Sequence, residues 1–346
     1  MDLDGDGIPD IISGSWPGEI FFFKGGPNHT FAAPVKLKYK DGKTINIGGG
    51  RRPDSGDMIL IAGDATFEKN DKGRHVIVYE GEKIEIPEGK SGGITGTASA
   101  VHAVDWNGDG ILDLLTGDIS GNVWLVPNEG TKQKWAFGKE RQLTAGGKPL
   151  RVRGDAGPFA CDWDGDGKID LLVGDDEGAV WFFRNIGTNK APELAAGVHL
   201  VKPGEAHYGK DAPKEPRRGV RAKVCAVDWT GSGRLDLLVG DFATQKPDRP
   251  EPTAEEKAEH DKARKELETV QKRSGELYQK IHGNQRVKDK AEREKLQTEL
   301  SETYTKMQDL YKKIPPEYEN HGWVWLFKRK PKEAVGERND KVVPNK

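Results

Sequence analysis

The chain has 346 residues, enough for one large or two smaller buried cores, and its 44 glycines, 20 prolines and 34% hydrophobic fraction argue for many short strands joined by tight turns rather than a helical protein. Lysine plus arginine (54) nearly cancels aspartate plus glutamate (56), leaving a net charge of −2 that disfavours nucleic acid or an anionic membrane as a partner, and no stretch is long and apolar enough to be a transmembrane segment. Two cysteines, Cys161 and Cys225, are too few for a disulfide scaffold and leave the redox compartment open.

Met1 leads straight into Asp2-Leu3-Asp4-Gly5-Asp6-Gly7-Ile8-Pro9-Asp10, with no signal peptide and no strand ahead of it, so the start reads as a cut edge. An apolar run then closes at Gly14, six residues before the tetrad Ile20-Phe21-Phe22-Phe23. Equivalent landmarks stand at Gly63, Gly117, Gly174 and Gly240, at spacings of 49, 54, 57 and 66. Their tetrads are Val76–Tyr79, Val123–Val126, Val180–Phe183 and Val324–Phe327. The six-residue gap at Gly14, Gly117 and Gly174 suits a tight hairpin, whereas the gap is 13 in the second unit and 84 in the fifth. An outer strand echoes in Phe31–Leu37, Phe137–Leu143 and Leu194–Leu200, and a first strand in Ser99–Trp106, Pro158–Trp163 and Lys223–Trp229.

The predicted fold is all-β: five units (about 1–45, 46–95, 96–150, 151–215 and 216–346) of four short antiparallel strands within one domain over 1–346. A single such sheet leaves an apolar face bare. Radial stacking of the sheets as the blades of a β-propeller covers those faces, and a two-sheet sandwich would not need five copies.

The aspartate loop recurs twice with its ligand pattern intact, as Asp105-Trp106-Asn107-Gly108-Asp109-Gly110-Ile111-Leu112-Asp113 and as Asp162-Trp163-Asp164-Gly165-Asp166-Gly167-Lys168-Ile169-Asp170. Side-chain oxygens at positions 1, 3, 5 and 9, a backbone carbonyl at position 7 (Ile8, Ile111, Lys168) and a turn glycine at position 6 are what a short loop needs to wrap a hard cation, so the expected metal is Ca²⁺. Position 12 is Ser13, Thr116 or Val173 rather than glutamate, which disfavours an EF-hand. Asp/Gly turns without metal would have to hold mutually repelling carboxylates close together. A fourth copy, Asp228-Trp229-Thr230-Gly231-Ser232-Gly233-Arg234-Leu235-Asp236, keeps two carboxylates and puts arginine at the carbonyl position, so its affinity is expected to be lower or absent. Ranked by carboxylate count alone, the loop from Asp162 should hold calcium longer than that from Asp105. Ser55-Gly56-Asp57 in the second unit lacks the ligand set.

The loop followed by Leu-Leu-Val-Gly, as in Asp162–Gly174, resembles the FG-GAP or VCBS repeats of integrin α-subunit propellers and of many secreted bacterial proteins. The resemblance covers about 250 residues and is weakest in the second unit. It implies a propeller of about seven blades in which the calcium loops are structural, and an extracytoplasmic setting: secreted, periplasmic or at the cell surface. It also implies a role in adhesion or in binding a protein or glycan. Some similar propellers are polysaccharide lyases, and a cluster of His, Tyr, Arg and Lys around one mouth would favour an enzyme; a structural module of a larger surface protein is the third class. No nucleophile–base pair, phosphate loop or open zinc site is legible.

Residues 253–313 break the pattern with a dense run of Glu, Lys, Arg and Gln and no proline. Thr253 with Glu256, and Asp289 with Glu292, mark two helix starts. Leu267, Val270, Leu277 and Ile281 make one stripe, Leu296, Leu300, Tyr304, Met307 and Tyr311 the other, and His282-Gly283-Asn284 lets the helices fold back as an antiparallel, coiled-coil-like hairpin. The hairpin serves either as solvated decoration or as a partner or oligomerisation arm, and its charges name no partner. Arg217–Lys223, in a basic stretch after the loop Pro203–Pro216, reads as a solvated run. His102 reads as a core or channel histidine, Cys161 and Cys225 as separate buried thiols, and Trp106, Trp163 and Trp229 as packing between blades.

Overall fold

The computed structural model describes residues 1–48, 50–51, 58–62, 65–71, 73–79, 81–88, 90–97, 99–205, 212–283, 287 and 289–330. The Gly63 landmark, Ser55–Asp57, Asn284 and positions 206–211 of the Pro203–Pro216 loop lie outside them. The described residues form two compact units, one of 1–205, 217–243 and 321–330, the other of 212–216 and 244–320.

The first unit is built from several small, mostly antiparallel sheets. Sheet A holds β1 (Ile11–Gly14), β2 (Ile20–Phe23) and β3 (Val35–Lys36). Next come β4 (Gly50–Arg51), β5 (Met58–Ala62), β6 (Ala65–Lys69), β7 (His75–Tyr79), β8 (Glu82–Glu85) and β9 (Ser91–Thr95). Sheet B is β10 (Ala100–Val104), β11 (Asp113–Gly117), β12 (Val123–Val126) and β13 (Arg141–Gln142), and a small hairpin of β14 (Thr144–Ala145) and β15 (Lys148–Pro149) follows it. Sheet C repeats the plan with β16 (Gly157–Cys161), β17 (Asp170–Gly174), β18 (Val180–Phe183) and β19 (Val198–Val201). In sheet D, β20 (Val220–Val227), β21 (Asp236–Gln245) and β22 (Glu319–His321) run in order, and β23 (Val324–Phe327) also pairs with β21.

Strand alternation turns successive residues of the landmark strands to opposite faces, and in B and C both faces are buried. Leu114 packs with Ile20, Phe22 and Leu37 of sheet A, while its neighbour Leu115 packs with Leu171, Val173 and Phe183 of sheet C. One sheet further on, Leu172 and Val180 pack with Leu237 and Val239 of sheet D. The sheets therefore stack face to face in the order A, B, C, D.

Close backbone approach explains three of the landmark glycines. A Cβ on Gly14, Gly117 or Gly174 would lie 2.0, 2.1 or 2.2 Å from the carbonyl oxygen of Ser99, Ala156 or Ala222, where the chain enters the next sheet. The same three residues donate their N–H groups to the carbonyls of Ser15, Asp118 and Asp175, at 3.1, 3.1 and 2.8 Å. The aspartate that follows the glycine holds an indole in place, since Asp118, Asp175 and Asp241 accept the N–H of Trp124, Trp181 and Trp325 at 3.1, 2.9 and 2.8 Å.

The second predicted unit is not a sheet inserted between A and B, because A packs directly on B. Its tetrad Val76–Tyr79 lies in β7, central in a separate sheet β6-β7-β8, whereas β5 pairs with β4 and, in parallel, with β9. The physical reason is the thirteen-residue gap, which is long enough to form β6 as an additional strand and so separates tetrad from landmark.

The second unit contains α1 (Ala254–His282) and α2 (Lys290–Lys313). Thr253 and Glu256 form a reciprocal capping box, and Asp289 caps α2 through Glu292 N–H. Glu266 meets Lys306 at 2.7 Å and Glu299 meets Arg273 at 2.6 Å, so the helices run antiparallel. Ala263, Leu267, Val270, Ser274, Leu277 and Ile281 are buried on α1, in steps of four and three. On α2 the buried residues are Leu300 and Leu310, with Leu296 and Met307 packed alongside, whereas Tyr304 and Tyr311 are exposed. The predicted second stripe thus drifts: two successive steps of four, 296–300–304, rotate a helix off the seam that a step of three restores.

Candidate functional site

All four aspartate loops share one scaffold. The position-1 aspartate accepts the N–H of position 5 and of the glycine at position 6: Asp2 from Asp6 and Gly7 (both 3.0 Å), Asp105 from Asp109 (3.0 Å) and Gly110 (2.9 Å), Asp162 from Asp166 and Gly167 (both 3.0 Å), and Asp228 from Ser232 and Gly233 (both 2.8 Å). The position-5 carboxylate then accepts the N–H of position 7 in three of them: Ile8, Ile111 and Lys168 at 2.9, 2.8 and 3.0 Å. Glycines at positions 4 and 6 carry positive φ throughout, from 65° to 87°, the left-handed turns that curl the loop around its own carboxylates. Asp2, Asp4 and Asp10 bring oxygens within 4.8 Å of one another, as do Asp162, Asp164 and Asp166.

The position-9 aspartates, Asp10, Asp113, Asp170 and Asp236, begin or adjoin the landmark strands and are all buried. Each accepts the backbone N–H of the residue two places after the apolar tetrad: Gly25, Asn128, Asn185 and Arg329, at 2.7, 2.7, 2.8 and 2.7 Å. This fourfold contact ties the loop to the end of the tetrad strand of its sheet. Their second oxygens differ. Asp10 accepts from Leu3 N–H (2.9 Å), Asp170 from Trp163 N–H (3.1 Å), and Asp236 from the Thr230 N–H and hydroxyl (3.1 and 3.0 Å). Asp113 is 1% exposed; the Trp106 N–H faces its carboxyl as the Trp163 N–H faces Asp170, but its Oδ2 closes no hydrogen bond of ordinary geometry among the described residues. Burial, together with the charges of Asp109 and Asp105, pushes the Asp113 carboxyl up to about 6. Burial likewise raises Asp170, whereas the Arg329 N–H and the Thr230 contacts hold Asp236 low. Carboxylate oxygens converging within 4.8 Å, beside a buried carboxylate with an incompletely satisfied oxygen, are the donor chemistry that a hard cation satisfies, so the residues fit calcium.

Cations following the tetrads are not legible in sequence as part of the motif. Lys24 reaches Asp4 and Asp6, its amine held above the usual lysine range by those hydrogen bonds. Arg184 reaches Asp164 (2.7 Å) and Asp166 (3.2 Å), and Lys168 lies 3.4 Å from Asp166. Pro127 stands at the equivalent place beside the Asp105 loop. The ranking by carboxylate count therefore levels: four carboxylates in the Asp162 loop face two cations, four in the first face one, and three in the Asp105 loop face none among the described residues. In the fourth loop Thr230 turns its hydroxyl to Asp236, and the Arg234 guanidinium reaches the Lys330 carbonyl at 2.6 Å.

An FG-GAP-like repeat is found at residues 162–239. The stretch runs from the aspartate loop of sheet C to the landmark strand of sheet D. None of the curated proteins matches the chain. Among solved structures, one described as the structural basis of specific recognition of non-reducing terminal N-acetylglucosamine by an Agrocybe aegerita lectin aligns at 18% identity and a TM-score of 0.30, covering 70% of this chain and 61% of that one. A likeness of that size carries no argument about function.

The remaining sequence-marked residues sort by the stacking. His102 lies against Phe159, ring centroids 4.4 Å apart, and burial lowers its imidazole to about 4, as suits a core histidine between sheets B and C. Trp106 is buried in the B–C core and Trp163 packs into the C–D core, but Trp229 is 62% exposed. Both cysteines are free; burial pushes Cys161 up to about 12, whereas Cys225 is exposed, contrary to the reading of two buried thiols. Trp229 and Cys225 are thus both exposed on sheet D, where their counterparts on sheet C are at least partly buried. The basic stretch is partly paired, with Lys223 Nζ on the Asp155 carbonyl (2.6 Å) and Arg221 on the Asp155 carboxylate (3.3 Å). Separately, Phe67, Arg74, His75, Ile86, Glu88, Lys90, Ser91 and Gly92 line an open cavity of about 520 Å³.

Proposed function

We propose that the protein is an extracytoplasmic, calcium-stabilised binding module of the β-propeller class. Calcium is held by Asp2, Asp4, Asp6, Asp10 and the Ile8 carbonyl, by Asp105, Asn107, Asp109, Asp113 and the Ile111 carbonyl, and by Asp162, Asp164, Asp166, Asp170 and the Lys168 carbonyl. Asp228, Thr230, Ser232, Asp236 and the Arg234 carbonyl make a weaker site. The observation that carries the metal reading is the convergence of acidic oxygens, those of Asp2, Asp4 and Asp10 in the first loop and of Asp162, Asp164 and Asp166 in the third lying within 4.8 Å of one another. Four sheets stacked face to face, each core shared with the next, support the propeller. When bound, the ion supplies charge neutralisation, while this chain's own amides fix the loop and its position-9 aspartates anchor it to the sheet.

The ligand is a protein or a glycan. Supporting a small polar ligand group, the cavity beside β7 is in the usual size range for such sites and sets the half-exposed Phe67 ring beside Arg74, His75 and Lys90. Calorimetric titration of calcium into the chelator-treated full chain tests the metal reading: saturable binding that Asp113→Asn diminishes supports it, and no heat at millimolar calcium refutes it.

A further inference from the structure

Strands β4 to β9 depart from the repeated plan, and the two sheets they form set a strand edge beside a cavity. In the first of these sheets β5 pairs with β4 on one side and, in parallel, with β9 on the other, so β9 is an outermost strand. Among the described residues no strand, bridge or loop amide pairs with its outer edge. A strand so placed presents a row of N–H and C=O groups that another chain can complete. Gly92 brings β9 close to the second sheet, since an added Cβ would lie 2.5 Å from Ile86 Cδ1 and 3.0 Å from Ile77 Cδ1. Ile94, two residues along and so on the same face, is 38% exposed.

The cavity of about 520 Å³ opens at the start of this edge, where Lys90, Ser91 and Gly92 form part of its wall. Phe67, 49% exposed, and Ile86 give it an apolar surface. Phe67 stands opposite Ile77 and Lys69 opposite His75 in the β6–β7 ladder, so Phe67 and His75 share the face that Gly92 approaches. Arg74 is held by its backbone, whose N–H donates to Asn70 Oδ1 (3.0 Å) and whose carbonyl accepts the Asn70 N–H (2.9 Å). Among the described residues its guanidinium makes no ion pair or hydrogen bond. With Arg74 and Lys90 against one acid, Glu88, the lining is cationic.

We infer that the cavity captures the free C-terminal carboxylate of an extended peptide, whose backbone adds to the outer edge of β9 and whose last, apolar side chain rests on Phe67 and Ile86. This occupant is the protein alternative of the ligand proposed above, placed in the same cavity, and rests on that reading. A guanidinium holds a carboxylate through two parallel hydrogen bonds, and an open strand edge supplies main-chain bonds to a peptide laid along it. The direction follows from the place of the cavity, which lies at the N-terminal end of β9, so a peptide that ends there runs antiparallel to that strand. A glycan offers neither the alternating amides that complete a strand edge nor an aliphatic side chain for the apolar wall.

The full chain is screened against a library of random decapeptides anchored by their N-termini with free C-terminal carboxylates, and against the same library ending in amides. Free-acid peptides with an aliphatic or aromatic last residue should be enriched, and amidated ones should not. For the best-bound sequence, labelled at its N-terminus and followed by fluorescence anisotropy, amidation and Arg74→Gln should each weaken binding at least about tenfold, and both together little more than either, because they remove the same contact. Arg74 is exposed, so Arg74→Gln leaves the fold intact, which circular dichroism checks. Methylating the peptide's amide nitrogens one at a time should weaken binding at every second position, the pattern of a strand paired along one edge. No enrichment of free-acid peptides, equal binding of amidated ones, or methylation effects without alternation overturn the inference. So does a glycan, found by probing an array with the full chain, whose binding Arg74→Gln abolishes, because the cavity would then be the ligand site of a different occupant. Peptide or glycan binding that both Arg74→Gln and Phe67→Ala leave unchanged overturns it as well, by removing the cavity as the ligand site.

Discussion

Replacing Gly174 by alanine puts a methyl group 2.2 Å from the Ala222 carbonyl oxygen and 2.7 Å from its carbon, both backbone atoms that cannot swing aside. Gly174 has no positive φ, so alanine is conformationally acceptable and by itself would stabilise a strand position by about 0.5–1 kcal/mol through the unfolded chain. Relieving the overlap requires sheets C and D to part by roughly 1 Å, which stretches the 2.8 Å bond from Ala222 N–H to the Asp175 carbonyl, worth about 1 kcal/mol, and loosens the Leu172–Leu237 core. Overpacking of this kind costs about 1–3 kcal/mol. The net expectation for Gly174→Ala is a loss of about 2 kcal/mol, taken as the difference of these terms. Gly240→Ala, with no contact shorter than 3.8 Å, should be neutral or stabilising by about 0.5 kcal/mol in the same chain. Urea unfolding followed by tryptophan emission, with midpoints compared at matched slopes, measures both. Equal effects at the two positions would refute the claim that backbone approach, rather than strand conformation, selects the landmark glycines.

The partly buried His102 imidazole, lowered to about 4 by desolvation, is neutral in the fold, whereas the unfolded chain takes up a proton near 6.5; its contribution is complete above pH 6.5 and is lost as pH falls from 6.5 towards 4. In calcium-saturated protein the stability loss between pH 7 and 5 should be smaller in His102→Leu than in the parent by about 1–2 kcal/mol, and parallel pH profiles would contradict this. Arg184→Gln removes a cation from Asp164 and Asp166 and should tighten calcium binding by the Asp162 loop several-fold while lowering metal-free stability; calorimetry showing weaker binding would reverse the assignment of Arg184 as a counter-charge. Deleting Ala254–Lys313 and bridging the ends with a short Gly-rich turn should leave the β-sheet melting transition in place, because the buried stripes of α1 and α2 satisfy each other; loss of that transition on calorimetry would show otherwise.

Much of this organisation is legible in the chain because short apolar runs, tight turns and the Asp/Gly loops are local signals. The six-residue gap correctly joins β11 to β12 and β17 to β18, since nothing but a hairpin turn fits in it. Where the gap widens to thirteen, apolar content does not tell an added strand from a longer turn, and it matches Val76–Tyr79 to the wrong strand. The loop ligands are legible for the same reason: spacing within nine residues fixes which oxygens converge. Their supports are not. Arg184 reaches Asp164 across twenty residues and Gly25 N–H reaches Asp10 across fifteen, contacts that exist because the hairpin returns the chain, and the constant offset from the tetrad is their only trace in sequence. Trp229 and Cys225 look buried in sequence because their counterparts are; a repeat pattern specifies the face of a residue, and only the structure says whether a neighbour covers it.

The central claim, that cations in the aspartate loops hold the stacked sheets, is tested most directly by melting the chelated full chain with and without added calcium, alongside Asp113→Asn. Metal that binds only the folded state stabilises it by mass action, by about 2.7 kcal/mol at a hundredfold excess over its dissociation constant for one site. The expected result is a calcium-dependent rise in melting temperature that is smaller in Asp113→Asn, whose metal-free form melts no lower than the metal-free parent because a buried charge has been removed. A melting temperature indifferent to calcium in both proteins would contradict it.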